Sequence, residues 1–344
     1  MSAFALIFLY SLLYTYSFFK YRFMKIQKSK LYPILYALLA FAISLYVAPY
    51  YILGDQQHYR GLYKNCFFDS MSLEAQMYCY SQSIGSSEPV YFFLLKIVQP
   101  FFDKDLFVSI ANALMMYLIA RITFREYAVV WHRNLFMFFI LSNYYIIVLM
   151  LAAERLKFAF IFLLLAAFCS KRIFKAVFIM LSLLCHTQMM ILISSFLMKN
   201  VLYIKMALYK KIGLLVIGGF GMVAALFVLK DHIIGKYESI SSVENITESP
   251  VYAVVKSSIF IIFAAISTRR IDPLIFGSPL ILSAYFLGSS RIVIMTFLVY
   301  IVYVISIKKK MDILMFLSLA YCSYKSIGFI YNTIQNGSGY LSIP

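Results

Sequence analysis

The chain has 344 residues, 63% of them hydrophobic and only 13% charged, with a mean hydropathy of +0.85. So much apolar surface has no place inside a soluble globule, and the composition specifies an integral membrane protein. The formal net charge of +17 raises nucleic-acid binding, but the basic residues form short clusters between apolar runs, a pattern of membrane-topology signals that argues against nucleic acid as a partner.

The first apolar run, 2–19, has no Lys or Arg before it and reads as a retained span rather than a secretory signal. Basic clusters follow at 20–30, 121–133, 171–175, 205–211, 269–270 and 308–310. Placing them in the cytoplasm predicts spans near 2–19, 31–53, 105–124, 134–152, 155–170, 172–186, 188–204, 212–229, 251–268, 273–288, 292–307 and 311–331. The expected fold is an all-α polytopic membrane protein of about twelve transmembrane helices, one transmembrane domain over 1–344, with both termini outside.

The run 88–102 carries Glu88 and Lys96, and counting it as a span would invert every later basic loop. It reads as a re-entrant or interfacial helix. The spans that meet at His186 are short, which implies irregular backbone lining a cavity. Two larger outer loops, 54–87 and 230–250, are long for a compact bundle, and such loops are functional or disordered. Cys66 and Cys79 share the first of them; a disulfide and two free thiols are both open readings.

Of fourteen acidic residues, this topology leaves only Glu126, Asp272 and Asp312 inside. Ionisable groups crowd the outer boundary in the segments 54–63, 86–95, 152–160, 183–188 and 288–294, where each is costly unless paired or hydrated. Arg155, Lys157 and Arg291 offer cations to an anion, and a guanidinium fork matches phosphate oxygens. The alternative is that they snorkel to lipid headgroups. Glu88 and Asp55 suit general-base work, although Glu88 also suits a helix start. His186 reads as a base, a proton donor or a satisfied core residue. Tyr59, Tyr63 and Tyr91 are placed to stack on sugar rings or to serve as interfacial belt residues. Metal-ligand spacings, a nucleophile elbow, a phosphate-binding loop and a dinucleotide fingerprint do not occur, so neither a metal nor a cofactor is expected.

The segment order is an Asp with following tyrosines after the second span, then Glu88-Pro89-Val90-Tyr91, then Arg155 opening a span, then His186, then a late Arg291. Over roughly residues 30–300 this resembles the EpsG-like branch of the Wzy-type O-antigen and exopolysaccharide polymerases, with His186-Thr187-Gln188 departing from that pattern. The resemblance implies a metal-independent glycosyltransferase of the bacterial inner membrane, its active site facing the periplasm. It would join undecaprenyl-diphosphate-linked oligosaccharide repeat units, in a lipid bilayer and with a chain-length regulator as a further partner. Arg155, Arg291 and Lys157 would hold the diphosphate, and Glu88, Asp55 or His186 would activate the acceptor hydroxyl. The alternatives are a lipid-linked oligosaccharide flippase or other multi-span transporter, and a glycan ligase or acyltransferase.

Overall fold

The computed structural model describes residues 31–203 apart from Asp69, Ser86, Ser87 and Ala128, residues 250–340 apart from Gly288, Ser289 and Lys309, and Tyr209, Gly213 and Val216. The spans expected at 2–19 and 212–229 and the outer loop 230–250 fall almost wholly outside these residues. Among the described residues the chain is all helix, without a strand.

The helices are α1 (Leu31–Val47), α2 (Asp55–Asn65), α3 (Leu73–Ile84), α4 (Pro89–Val98), α5 (Lys104–Glu126), α6 (Val130–Leu141), α7 (Tyr144–Leu151), α8 (Glu154–Phe168) and α9 (Arg172–Cys185). They continue as α10 (Met189–Tyr203), α11 (Pro250–Thr268), α12 (Asp272–Leu287), α13 (Ser290–Lys308) and α14 (Ile313–Asn336). Local chemistry sets several of the starts. The side chains of Ser72, Asp103, Asn143 and Asp312 accept hydrogen bonds from the backbone N–H groups of Ala75, Leu106, Tyr145 and Met315, supplying partners that a helix N-terminus lacks. Pro89 opens α4, where its missing N–H is no loss. Gly337 ends α14 with φ of 74°, a left-handed turn that favours glycine.

Among the described residues, five helical segments are long and apolar enough to cross a bilayer: Leu31–Tyr50, Lys104–Glu126, Val251–Thr268, Ser290–Lys308 and Ile313–Asn336. A sixth arises if Val130–Leu141 and Tyr144–Leu151, bent by 50° at their junction, form one broken span. This corrects the expectation of about twelve. The runs expected at 155–170, 172–186, 188–204 and 273–288 become helices of 15, 14, 15 and 16 residues. At roughly 1.5 Å per residue they fall short of a hydrocarbon core of about 30 Å. The expectation of a repeat-unit polymerase, and those of a flippase, transporter, ligase or acyltransferase, rested on that extensive architecture and are overturned with it. So is the metal-independent glycosyltransferase mechanism drawn from the same likeness.

What stands is a multi-span helical architecture of membrane type. The exterior is apolar: Leu31, Leu38 and Leu45 on α1, and Val251, Val255, Ile259 and Ile266 on α11, are exposed, as side chains facing lipid would be. The centre is α13, buried from Ile292 to Ile305 on most sides, with α7 packed beside it and buried from Tyr145 to Leu151. α1 and α5 run together, joined by Ser109 and Asn112, which both donate to the Ser44 hydroxyl at 3.2 and 2.7 Å. Such polar seams hold helices together where lipid supplies no hydrophobic drive.

α5 and α13 each run from an end beside the acidic groups, at Lys104 and Arg291, to a basic end, at Arg125 and Lys308, and Arg269 follows the end of α11. At the acidic end, α2 and α3 form a cap over the bundle, joined to each other by the disulfide between Cys66 and Cys79. The carbonyl of Gly337 accepts from the backbone N–H groups of Ile52 and Leu53 at 3.0 and 2.9 Å, fixing the strand of chain that leads into the cap. Replacing both Cys66 and Cys79 by Ser removes a cross-link worth about 3 kcal/mol on chain entropy. The variant is expected to melt at lower temperature in detergent, and an unchanged melting point would show that the cap does not depend on the bond.

Candidate functional site

Beneath that cap, eight ionisable side chains from five helices and the chain between α9 and α10 meet in two linked groups and one outer pair. The first group is built on Glu88. This residue holds the N-cap position of α4 with extended backbone, but its carboxylate makes no capping bond. Oε2 pairs with Nη1 of Arg155, and Oε1 lies 3.0 Å from Nδ1 of His186. All three are enclosed, at 5%, 7% and 3% exposure. Arg155 Nε also donates to the Tyr59 hydroxyl at 3.2 Å, and the Tyr80 hydroxyl donates to the Glu88 carbonyl at 3.1 Å.

The second group is built on Glu154, which is fully buried. Its Oε1 accepts from Gln56 Nε2 at 2.7 Å and pairs with Lys104 Nζ at 3.0 Å, while Oε2 accepts from the Tyr91 hydroxyl at 2.7 Å. Lys104 closes the circuit by donating to Gln56 Oε1 at 2.7 Å. Lys157, also fully buried, donates to the Met150 carbonyl at 3.0 Å. It is therefore not snorkelling. The outer pair is Arg291 with Asp55, 2.7 Å apart, whose side chains remain 19% and 45% exposed. Tyr59 sits between Arg155 and Arg291, close enough to feel both charges.

Helix spacing explains the convergence. In α2, Gln56, Tyr59 and Tyr63 recur at helical period on the face turned to the bundle, with Asp55 one turn before Tyr59. In α8, Glu154, Arg155 and Lys157 fill the first turn. A carboxylate there gains from the helix dipole, whereas two cations lose by it. Their placement is therefore explained by Glu88, Glu154 and the Met150 carbonyl rather than by helix stability. Arg155 and Lys157 follow directly on the break between α7 and α8, and His186 stands in the break between α9 and α10.

Burial pushes the His186 imidazole below its ordinary range, and Glu88 pulls it part of the way back. The neutral ring carries one N–H, yet its Nε2 faces Gln188 Oε1 at 3.3 Å while Nδ1 faces Glu88. The neutral ring donates from Nδ1 to Glu88 and leaves Nε2 to accept from Gln188 once that amide is turned, whereas the imidazolium would donate to both, so this ring is set between enclosure, which resists the proton, and Glu88, which invites it. Burial likewise raises the Tyr59 phenol above its usual range, with Arg155 opposing, so the hydroxyl keeps its proton and accepts from Arg155.

Glu88, Asp55, His186, Arg155, Arg291 and Lys157, all candidates in sequence, lie in this one region. The aromatic candidates are not open platforms. Tyr59, Tyr63 and Tyr91 are 3%, 9% and 0% exposed. The Tyr91 hydroxyl is committed to Glu154 and that of Tyr63 to the Phe102 carbonyl. Sequence reasoning missed Glu154, Lys104, Gln56 and Gln188 as members. The signal for Glu154 was its place directly before Arg155 at the start of an apolar run; Lys104, between Asp103 and Asp105, reads as solvated loop. Among the described residues no group of three or more His, Cys, Asp or Glu side chains is arranged to hold a metal.

Two outcomes follow from this geometry. Glu88→Gln leaves the enclosed Arg155 without its counter-charge and is expected to destabilise the fold by about 3–5 kcal/mol, read as a lost or sharply lowered melting transition. Because the folded pKa of His186 lies below its unfolded value near 6.5, its contribution is complete above about pH 6.5 and is lost as pH falls from there through the folded pKa. His186→Gln should flatten the fall in melting temperature between about pH 7 and 5; equal slopes for the two proteins would refute the assignment.

No protein-family model matches the chain, and no curated protein or solved structure is similar to it. Nothing in these comparisons identifies a family.

Proposed function

We propose that this chain is a bacterial plasma-membrane protein that binds the phosphate or diphosphate headgroup of an amphiphile at the outer boundary of the bilayer. The observation that carries the reading is Lys157. Four cations, Lys104, Arg155, Lys157 and Arg291, are gathered with three carboxylates, Asp55, Glu88 and Glu154. Glu154 is already occupied by Lys104, Gln56 and Tyr91. Lys157 is left with a neutral carbonyl as its hydrogen-bond partner, at full burial. Glu154 attracts this ammonium at longer range while Lys104 repels it, so an anion beside Lys157 would meet an enclosed charge that the site balances only in part.

Arg291 supports the same reading from the open side of the site. It is less enclosed than Lys157 or Arg155 and is paired to a half-exposed carboxylate, a partner that an incoming phosphate can displace. The outer orientation rests on the basic clusters at the opposite helix ends, which favour the cytoplasm. The undecaprenyl-diphosphate carriers of bacterial membranes belong to this class of ligand: an anionic head to meet the cations and an apolar chain to lie along the exposed helix faces.

The test uses geranylgeranyl diphosphate, a short isoprenoid diphosphate, titrated onto the purified full chain in zwitterionic nanodiscs. Wild type is expected to bind, and Arg291→Gln and Lys157→Gln are each expected to weaken binding about ten- to a hundredfold, the loss of one charge-assisted contact. Binding of geranylgeraniol equal to that of its diphosphate, or unchanged affinity in both variants, would overturn the proposal.

A further inference from the structure

The basic end of the bundle, away from the cap, carries a pair of arginines held by one ring. Arg121 and Arg125 lie four residues apart near the end of α5, and their Cζ atoms are 5.2 and 5.9 Å from the centre of the Phe168 ring, at the last residue of α8. Arg121 is also 5.8 Å from the centre of the Tyr117 ring. Because α5 and α8 pack together, the bundle places this ring and the ring places both guanidinium groups. The two arginines are exposed, and Arg125 gives Nε to Glu126 at 3.0 Å in an open ion pair. Arg121 is roughly 8 Å of helix from the Glu126 end of α5, a distance that an arginine stem covers, so its head reaches the level of the lipid phosphates.

The same face of α5 continues as lipid-facing surface. From Arg125 back, Arg121, Tyr117, Leu114 and Ile110 recur at steps of three and four residues, the spacing that stacks side chains on one side of a helix. Leu114 and Ile110 are 41% and 42% exposed, and Tyr117 is half-buried. One stripe therefore runs from two cations at the interface to apolar side chains at depth, the order of a phospholipid's own head and tail. A guanidinium that lays its face on a ring keeps its N–H edges for an acceptor, and two forks on neighbouring turns can grip the oxygens of one phosphate. Snorkelling accounts for an arginine near a helix end, but not for two that converge on one ring. Lys171, Arg172 and Lys175, exposed at the start of α9, extend the positive field across the helix that packs on α8.

We propose that Arg121, Arg125 and the Phe168 ring form a site for an anionic phospholipid at the basic end of the bundle, its phosphate held between the two guanidinium groups and an acyl chain lying along Tyr117, Leu114 and Ile110. The ring sets both forks before the lipid arrives, which lowers the entropy lost on gripping it. A phospholipid fits better than a soluble anion because the apolar stripe begins where the cations end. An anionic lipid fits better than a zwitterionic one, whose headgroup brings a cation of its own into a positive field. This site is at the other end of the bundle from Lys157 and Arg291, and uses none of their partners.

The experiment reconstitutes the full chain in nanodiscs of phosphatidylcholine doped with phosphatidylglycerol, and counts retained phosphatidylglycerol by native mass spectrometry after extraction into neutral detergent. Wild type is expected to retain one phosphatidylglycerol that the R121Q/R125Q double variant loses, with affinity reduced about tenfold or more. K308Q/K310Q removes as many charges from the same end of the bundle and should keep the lipid, which separates a local site from bulk attraction. R121K/R125K keeps the charge without the fork and is expected to fall between wild type and R121Q/R125Q; a loss as complete as in R121Q/R125Q would point to a damaged fold and overturn the assignment. So would equal retention by wild type and R121Q/R125Q, equal loss in K308Q/K310Q, retention of phosphatidylcholine in the same amount, or displacement of the lipid by millimolar inorganic phosphate.

Discussion

The bridge from Arg155 through Glu88 to His186 is the interaction on which the rest of the site depends. It joins α8, the start of α4 and the break between α9 and α10, three pieces of chain far apart in sequence. Buried charges like these add little net stability while paired and cost several kcal/mol each when separated. The bridge therefore acts as a constraint on register more than as a source of stability. With Glu88 pinned, α4 must present Tyr91 to Glu154, and with Arg155 pinned, α2 must present Tyr59.

The same side chains also answer a backbone problem. A helix that crosses lipid satisfies its own peptide groups, but a break within the protein frees carbonyls at depth. The break after α7 frees those of Met150 and Leu151, which accept from Lys157 and from Gln56. Arg155 offers its own carbonyl to the Cys185 thiol. Polar side chains thus enter the bundle where helices are interrupted, and the interruptions persist because those side chains fill them. The α2–α3 cap completes the arrangement from the polar side, contributing Asp55, Gln56 and Tyr59 and excluding water from the groups below, which strengthens every charge interaction there.

Much of the site was legible in the sequence. Cations retained on the face opposite the basic clusters stand out because topology does not require them, and Arg155 and Arg291 were found on that ground although 136 positions separate them. Pairing was not legible. That Arg291 meets Asp55 across 236 positions, or that Lys104 meets Glu154, depends on how helices are ordered in space. Span length was not legible either. Hydropathy reports that residues 134–152 are apolar, but a helix enclosed by protein and one enclosed by lipid have the same composition. Asn143 caps a new helix inside that run and bends it, one polar residue whose effect averages away across a window of twenty. The short helices α8, α9, α10 and α12 read as spans because they are as apolar as spans, and only their length in the fold sets them apart.

Two sets of cations differ in how they are balanced, and the difference bears on how each responds to its surroundings. Under the cap, three carboxylates stand against four cations, every pair within hydrogen-bond reach, so the geometry is set by the protein and largely screened from salt. In α11 and α14 the ammonium groups of Lys256 and Lys325 lie over ring faces, those of Tyr252 and Tyr144, which attract a cation without fixing its direction. The first arrangement has its shape before any ligand arrives. The second holds its cations less firmly, because a ring face does not fix the direction of the ammonium above it.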